Sequence, residues 1–373
     1  MRRLNILQIS SSLGWGGREM YPITLSQKLL ERGHNLNLIA HPEGNILKRA
    51  VPAKIPTIPM NIHKYIDIKS IFTLARIIKR ENIEIIHSHF ATDLWIIVPA
   101  AILSSINPAV ILTRHMKSHR SKKDIGHRLI YNYVSKVIAN SELVKECLLE
   151  SHPLTQEKIP VIYYGLDLTK YDPRRYNGMQ IKQEFNIDNK TKVVGIVGRL
   201  EPGKGQEYFL QSAKLILKSY PEVILLIVGE DIGAKGYKSY LINLAQELGI
   251  SEKVIFTGQR DDIPEVMAAL DVFVFTSKAE AFGLVLIEAM AMCKPIVGFR
   301  TGAIEEIIED GINGILIPFG DVTALANKIL NLLMDTQKAT NMGKEGRRIT
   351  EEKFDLDHAV TLTIKLYEEV LSD

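Results

Sequence analysis

Hydrophobic positions along the chain fall into short runs, each followed by a longer segment in which apolar residues recur three or four apart. In the first half the runs 4–9, 35–40, 84–88, 109–113, 136–139 and 160–163 read as strands. Helical spacing follows at 18–32, 68–81, 93–105, 125–134 and 141–150. The second half repeats the pattern, with strands expected at 192–197, 223–228, 253–257, 271–275, 294–298 and 313–317. Helices are expected there at 205–219, 237–249, 262–269, 282–292, 303–309 and 322–334, and again at 338–352 and 357–371. Regular alternation of strand and helix predicts an α/β fold with parallel, doubly wound sheets. The stretch 165–190 is polar, contains Pro173 and Gly178, and reads as the connection between two halves. The expected organisation is therefore two Rossmann-like domains, 1–168 and 169–356, facing across a cleft, with a terminal segment 357–373. Ligands of such sheets bind beyond the carboxyl ends of the strands, so chemistry is sought in the loops there.

The loop after 271–275 opens the segment TSKAEAFGLVLIEAMAMCKP, residues 276–295. Glu280 precedes the expected helix, Gly283 allows close backbone approach at its mouth, and Phe282 and Leu284 flank that glycine. The first amides of a helix are unpaired donors aligned with the positive end of its dipole, which suits an anion. Glu288 lies about five residues into the helix, roughly 7–8 Å along its axis at 1.5 Å per residue. That offset matches the distance from a diphosphate to a ribose, and a carboxylate can accept from two ribose hydroxyls. The alternative is a first-turn helix acid and a side chain reaching to solvent.

A second loop, GRLEPGKG at 198–205, leaves strand 192–197 and enters a helix. Arg199 offers a planar fork and Lys204 a point charge, and both suit a diphosphate; the alternative is a basic surface turn. The spacing is not that of a Walker A loop. In the first βα turn, Gly16 and Gly17 bring backbone to the start of a helix. The Gly-x-Gly-x-x-Gly fingerprint is absent there, which argues against nicotinamide or flavin binding. His87, His89 and His115 fall at strand ends, where imidazole can exchange hydrogen bonds with sugar hydroxyls or shuttle a proton. No carboxylate pair converges with them in the sequence pattern, so no metal is expected.

Composition adds four constraints. At 373 residues the chain exceeds what one core usually serves, and 46% hydrophobic with 24% charged residues is ordinary for a globular protein. Cys147 and Cys293 have no metal spacing and fit a reducing compartment. The longest apolar run, 94–103, is shorter than a bilayer span, and residues 1–9 do not form a signal-peptide core, so a cytoplasmic location is expected. Charge is divided: residues 1–170 hold 23 Lys and Arg against 13 Asp and Glu, a net of +10, whereas 171–373 carry −7. Much of the excess lies in Arg114, Lys117, Arg120, Lys122, Lys123 and Arg128, with His119 and His127 adding charge at lower pH. This patch would hold acceptor phosphates, an anionic membrane surface, or only solvent. No nucleic-acid motif accompanies it, and no nucleic acid is expected as a partner.

These motifs resemble those of the retaining glycosyltransferases of family 4, which have the GT-B fold, over essentially the whole chain. AEAFGLVLIEAMA resembles the Glu-x7-Glu signature, GRLEPGKG the Gly-Arg-Leu…Lys-Gly turn, and GWGGRE the first-domain glycine loop. VIYYGLDLTKY resembles the hinge usually written Asn-Gly-Val-Asp, with Tyr164 in place of the Asn. TGAIEEIIEDGINGIL resembles a Gly-Gly-x-x-Glu segment, with Ala303 for the second glycine and Glu306 at the acid. The resemblance implies transfer of a sugar from a UDP- or GDP-linked donor to a hydroxyl, with retention and without a metal or other cofactor. By that analogy Glu288 holds the ribose, and Arg199 and Lys204 the diphosphate. Glu280 and the amides after Phe282, at Gly283 and Leu284, orient the donor sugar. Gly16 and Gly17 cover the donor, and His115 touches the reaction centre. His87, His89 and Arg114 are weaker acceptor-side candidates. The terminal helix would pack toward the first domain. The acceptor would be a glycan or lipid-linked molecule of cell-envelope or lipopolysaccharide-type synthesis, with peripheral attachment to the inner membrane face. The alternatives are a nucleotide-sugar epimerase and a non-catalytic nucleotide-sugar-binding protein.

Overall fold

The computed structural model describes residues 2–62, 67–118, 120–231 and 236–372. The chain forms two compact units: unit 1 is Met1–Gly165 with Asp357–Asp373, and unit 2 is Leu166–Leu356. The division falls just ahead of the expected 168/169 boundary, and the stretch read as a connection belongs to unit 2 from Leu166 onward.

Unit 1 runs β1 (Asn5–Ser10), α1 (Gly17–Glu31), β2 (Asn35–Ala40), α2 (Asn45–Ala50), β3 (Thr57–Pro59), α3 (Ile68–Arg80), β4 (Ile85–Ser88), α4 (Leu94–Leu103), β5 (Ala109–Arg114), α5 (Ile125–Tyr133), β6 (Val134–Ala139) and α6 (Glu142–Ser151). All six strands are parallel, in the order β3-β2-β1-β4-β5-β6. Sheets covered on both faces need apolar residues on both, and β4 is buried at every position. Two short elements had no expectation: α2 and β3, six and three residues long. The expected strand 160–163 is reduced to a single bridge between Val161 and Ala139. Pro160 has no N–H to extend a ladder, so the sheet ends at β6.

Unit 2 runs α7 (Met179–Glu184), β7 (Lys192–Val197), α8 (Gln206–Ser219), β8 (Val223–Val228), α9 (Tyr237–Glu247), β9 (Val254–Gly258), α10 (Ile263–Ala269), β10 (Val272–Phe275), α11 (Leu284–Ala291), β11 (Ile296–Phe299), β12 (Ile315–Ile317), α12 (Val322–Met334) and α13 (Thr336–Lys353). Its sheet is also six-stranded, in the order β12-β11-β10-β7-β8-β9. The expected helix 303–309 is only a 3-10 turn at Ile304–Glu306. Last comes α14 (Leu356–Val370), which lies in unit 1 from Asp357 on. It is tied there by Arg32, which donates to Asp357 and Thr361, and by the Tyr367 hydroxyl on His87. Among the described residues no helix is long and apolar enough to cross a membrane.

Both sheets have the same topology, and its consequence is positional. Strand order reverses between β1 and β4 in unit 1 and between β7 and β10 in unit 2. Loops leaving the two strands at such a point diverge to opposite faces and leave a crevice where ligands bind. The loops at these two reversals are 11–16 and 89–93 in unit 1, and 198–205 and 276–283 in unit 2.

Candidate functional site

In unit 2 the two loops interlock. Lys278 N donates to Gly203 O at 2.7 Å, and Thr276 Oγ1 donates to Gly205 O at 2.8 Å. Gly205 caps α8 with φ of 80°, and a Cβ there would stand 2.1 Å from the Thr276 carbonyl oxygen. Only glycine fits, which accounts in steric terms for the glycine that ends GRLEPGKG. Gly283 caps α11 in the same left-handed region, with φ of 96°, and no side chain caps that helix N-terminus. The α11 N-terminus therefore lacks a side-chain cap, and a helix start of this kind suits an anion.

Around this floor the charged groups are paired with each other. Lys204 Nζ donates to Glu280 Oε2 at 2.8 Å, with both side chains about one-fifth exposed. Arg199 meets Glu201 at 3.0 Å on a more exposed rim. The Gln206 amide holds the Arg199 carbonyl at 2.9 Å. Glu280 is fixed from behind: its carbonyl accepts from Ala303 N at 3.1 Å. Glu288, in the second turn of α11, is buried, and its Oε1 accepts from the Tyr171 hydroxyl at 2.8 Å. Burial pushes the Glu288 carboxyl up to about 7; the Tyr171 hydrogen bond and the Lys170 charge oppose that rise. Tyr171 is in turn anchored by Arg347, which donates to the carbonyls of Tyr171 and Ala291. Phe282 is buried with its ring 5.9 Å from that of Phe354, so its side chain is not presented to a ligand. Leu284 is half-buried at the helix mouth.

In unit 1, Gly16 and Gly17 sit where α1 begins, and no side chain caps that N-terminus. Two buried acids brace the loop. Asp93 accepts from Ser11 N at 3.1 Å and Ser11 Oγ at 2.6 Å, and burial pushes its carboxyl up to about 6. Glu19 accepts from Ser12 Oγ at 2.6 Å and Arg18 Nε at 2.7 Å. Its carboxylate lies 3.5 Å from where a Cβ on Gly16 would stand.

The three histidines near the ends of β4 and β5 are buried. His87 is fully buried with both nitrogens occupied, by Tyr367 and Thr113, each at 2.6 Å. Burial drops it to about 3, so it is a neutral core group. His89 is likewise enclosed, bonded to Gln8 and His115. His115 is 7% exposed and bonds Tyr164 and His89. Arg114 is half-buried beside Tyr131, Cys147 and Lys122, donates to the Met116 carbonyl at 3.4 Å, and burial lowers its pKa. Of the patch, Arg120, Lys123 and Arg128 are exposed, and Arg114, Lys117 and Lys122 are half-buried. His119 lies outside the described residues. Exposed apolar side chains join those cations: Met116, Ile125 at 79% and Leu129 at 68%.

Among the described residues no three His, Cys, Asp or Glu side chains come together to hold a metal ion. The residues that motif reading did not single out are Gln8, Glu19, Asp93 and Tyr171. Tyr171 closes the hinge segment VIYYGLDLTKY, but its function as a donor to Glu288 needs the fold to appear.

Comparison with known proteins agrees with this geometry. Residues 15–170 match the family model described as Glycosyltransferase Family 4, and residues 179–349 match that described as Glycosyl transferases group 1. The chain is 27% identical over 376 residues to N-acetyl-alpha-D-glucosaminyl L-malate synthase of Bacillus anthracis, covering 96% of this chain and 95% of the relative. It is 26% identical over 291 residues to UDP-Gal:alpha-D-GlcNAc-diphosphoundecaprenol alpha-1,3-galactosyltransferase of Escherichia coli, covering 75% and 74%. Among solved structures, a glycosyltransferase from Rickettsia africae ESF-5 superposes with a TM-score of 0.90 at 23% identity over the whole of both chains. Anabaena Alr3699/HepE in complex with UDP-glucose superposes with a TM-score of 0.85 at 25% identity, covering 98% of this chain and 100% of that one. With both strand-order reversals carrying the loops described above, and with the two family matches spanning both units, the chain belongs to glycosyltransferase family 4 and is a glycosyltransferase of the GT-B fold.

Proposed function

We propose that this chain transfers a sugar from a UDP-linked donor to a hydroxyl acceptor, with retention at the anomeric carbon and without a metal ion. The observation that carries the reading is the Lys204–Glu280 pair beside the uncapped start of α11, with Glu288 buried one turn further along. Lys204 and Glu280 neutralise each other across their 2.8 Å contact. An arriving diphosphate takes over the Lys204 charge, supported by Arg199 and the α11 amides. Glu280 is thereby released to accept from hydroxyls of the donor sugar, and Glu288 accepts from two ribose hydroxyls. The acceptor oxygen forms its bond to the anomeric carbon as the carbon–phosphate oxygen bond breaks. The acceptor proton passes to the leaving diphosphate on the same face. Catalysis then rests on alignment and on compensation of the departing charge. UDP is preferred over GDP because HepE, at 25% identity, is described with UDP-glucose and the E. coli relative is named for UDP-Gal.

On the acceptor side the reading is a lipid-linked molecule of cell-envelope synthesis at the cytoplasmic membrane face. Arg120, Lys123 and Arg128 beside the exposed Ile125 and Leu129 support it. Each cation near an anionic leaflet contributes on the order of 1 kcal/mol, enough for reversible attachment by a few of them. Sedimentation with anionic liposomes is expected to fall with salt and on Lys123→Glu with Leu129→Glu; indifference to anionic lipid at low salt excludes the membrane part.

The reaction is tested by nucleoside diphosphate release from a panel of UDP- and GDP-sugars, with and without EDTA. Release of UDP that survives chelation is expected. Loss with EDTA and recovery with Mg²⁺ or Mn²⁺ refutes the metal-free mechanism. Conversion of the sugar with the donor intact indicates an epimerase, and binding without any release a non-catalytic protein.

A further inference from the structure

The ends of β1, β4 and β5 and the segment after β6 set four buried side chains in one line of hydrogen bonds. Gln8 Oε1 and His89 Nε2 are 3.0 Å apart, and His89 Nδ1 and His115 Nε2 are 3.3 Å apart. The line ends at His115 Nδ1 and the Tyr164 hydroxyl. The Asn140 side chain supplies a further hydrogen bond to Tyr164. Tyr21 packs across the group, with its ring 4.8 Å from Tyr164 and 5.8 Å from each imidazole.

The direction of the line follows from the placement of the Gln8 amide, whose oxygen faces His89 and whose Nε2 has no partner. A carbonyl oxygen only accepts, so the proton of neutral His89 sits on Nε2. His89 Nδ1 is then bare and accepts from His115 Nε2–H. His115 Nδ1 is bare in turn and accepts from the Tyr164 O–H, whose oxygen is left to accept from Asn140. Burial keeps both imidazoles neutral, since each is held well below its ordinary pKa.

We infer that Tyr164 and Gln8 are positioning residues that hold His115 in its Nε2–H tautomer, so that a ligand oxygen reaching this ring meets a hydrogen-bond donor and not a base. The inference rests on the proposed transfer reaction for its use, but the tautomer itself does not depend on that reaction. The bond between the two imidazoles is the longer of the two measured links, and at 3.3 Å it is weak. Its Nε2–H is therefore the one a sugar or acceptor oxygen can take over, while Tyr164 keeps the ring in place from the other side. Tyr164 stands where the resembled hinge pattern has Asn. An amide presents either a donor or an acceptor by rotating, but the Tyr164 ring is clamped by Tyr21.

The experiment uses the full chain with ¹⁵N-labelled histidine. NMR at neutral pH is expected to show His115 neutral, with Nε2 protonated and Nδ1 bare, and a shift at Nδ1 in Tyr164→Phe as that hydrogen bond is lost. A protonated Nδ1 or an imidazolium in the wild type overturns the inference whether or not the protein turns over any donor. Kinetics give the second readout. Tyr164→Phe is expected to lower kcat about tenfold with donor KM within about twofold. His115→Gln, whose amide N–H can stand where Nε2–H stood, is expected to retain more activity than His115→Asn. Equal loss in those two variants, or an unaltered kcat in Tyr164→Phe, overturns the donor function. Absence of turnover in the wild type with the expected tautomer contradicts the transfer reading alone.

Discussion

Donor affinity is expected to rise with pH through the neutral range, because Glu288 must be ionised to accept two hydroxyl hydrogen bonds. Burial sets its carboxyl at about 7 in the free protein. Ribose hydroxyls favour the charged form, so its pKa falls on binding and a proton is released. The sign follows: affinity is full above the free-protein pKa and is lost as pH falls through it. When only the carboxylate binds, the apparent Kd is the intrinsic value multiplied by one plus ten to the power of pKa minus pH. That factor is about 1.1 at pH 8, about 2 at pH 7 and about 11 at pH 6. Calorimetric titration with UDP-glucose between about pH 5.5 and 8.5 reads this directly, since a diphosphate esterified at both ends keeps its charge across the range. Glu288→Gln should bind more weakly and without the pH slope. A flat wild-type profile, or tighter binding at lower pH, would refute the assignment of Glu288 to the ribose.

Tyr171→Phe removes the hydrogen bond that favours the Glu288 carboxylate, so the midpoint of the same profile should move up by about half to one pH unit; an unmoved midpoint contradicts the coupling. Lys204→Ala should cost about 2–4 kcal/mol in the transition state, a fall in kcat/KM of about 30- to 1,000-fold; wild-type kinetics would remove Lys204 from the diphosphate. Gly205→Ala places a Cβ 2.1 Å from the Thr276 carbonyl oxygen on a left-handed backbone and should destabilise unit 2. A loss of at least about 2 kcal/mol, read from the denaturant midpoint, is expected, and an unchanged midpoint with intact donor binding would show that the two loops need not interlock.

The parallel architecture was legible because each buried strand is a continuous apolar run bounded by turn residues. The runs 192–197 and 223–228 became β7 and β8 with the same limits. Short elements were not: α2 and α7, at six residues each, are shorter than two helical turns and leave little periodicity. The segment 160–163 has strand-like composition, but pairing is a tertiary event, and Pro160 restricts it to one bridge. The candidate site divides in the same way. Arg199, Lys204, Glu280 and Glu288 stand out as candidates because local motifs carry them. Glycine-loop braces such as Asp93 and Glu19 could not, since their partners Ser11 and Ser12 become meaningful only when the loop is folded. His87 looked like a strand-end ligand contact, yet its partners Thr113 and Tyr367 come from β5 and α14, far apart in sequence.

The most direct test of the central claim is the configuration of the sugar as it leaves the donor. UDP-glucose, an α-linked donor, is incubated with the protein and a small alcohol, and proton NMR follows the anomeric signals of the first glucoside and free sugar formed. An α-configured product is expected, formed in the presence of EDTA and lost in Lys204→Ala and Glu288→Gln. A β-configured first product would contradict retention, and an α product unaffected by those two substitutions would show that the unit 2 crevice is not where the donor is held.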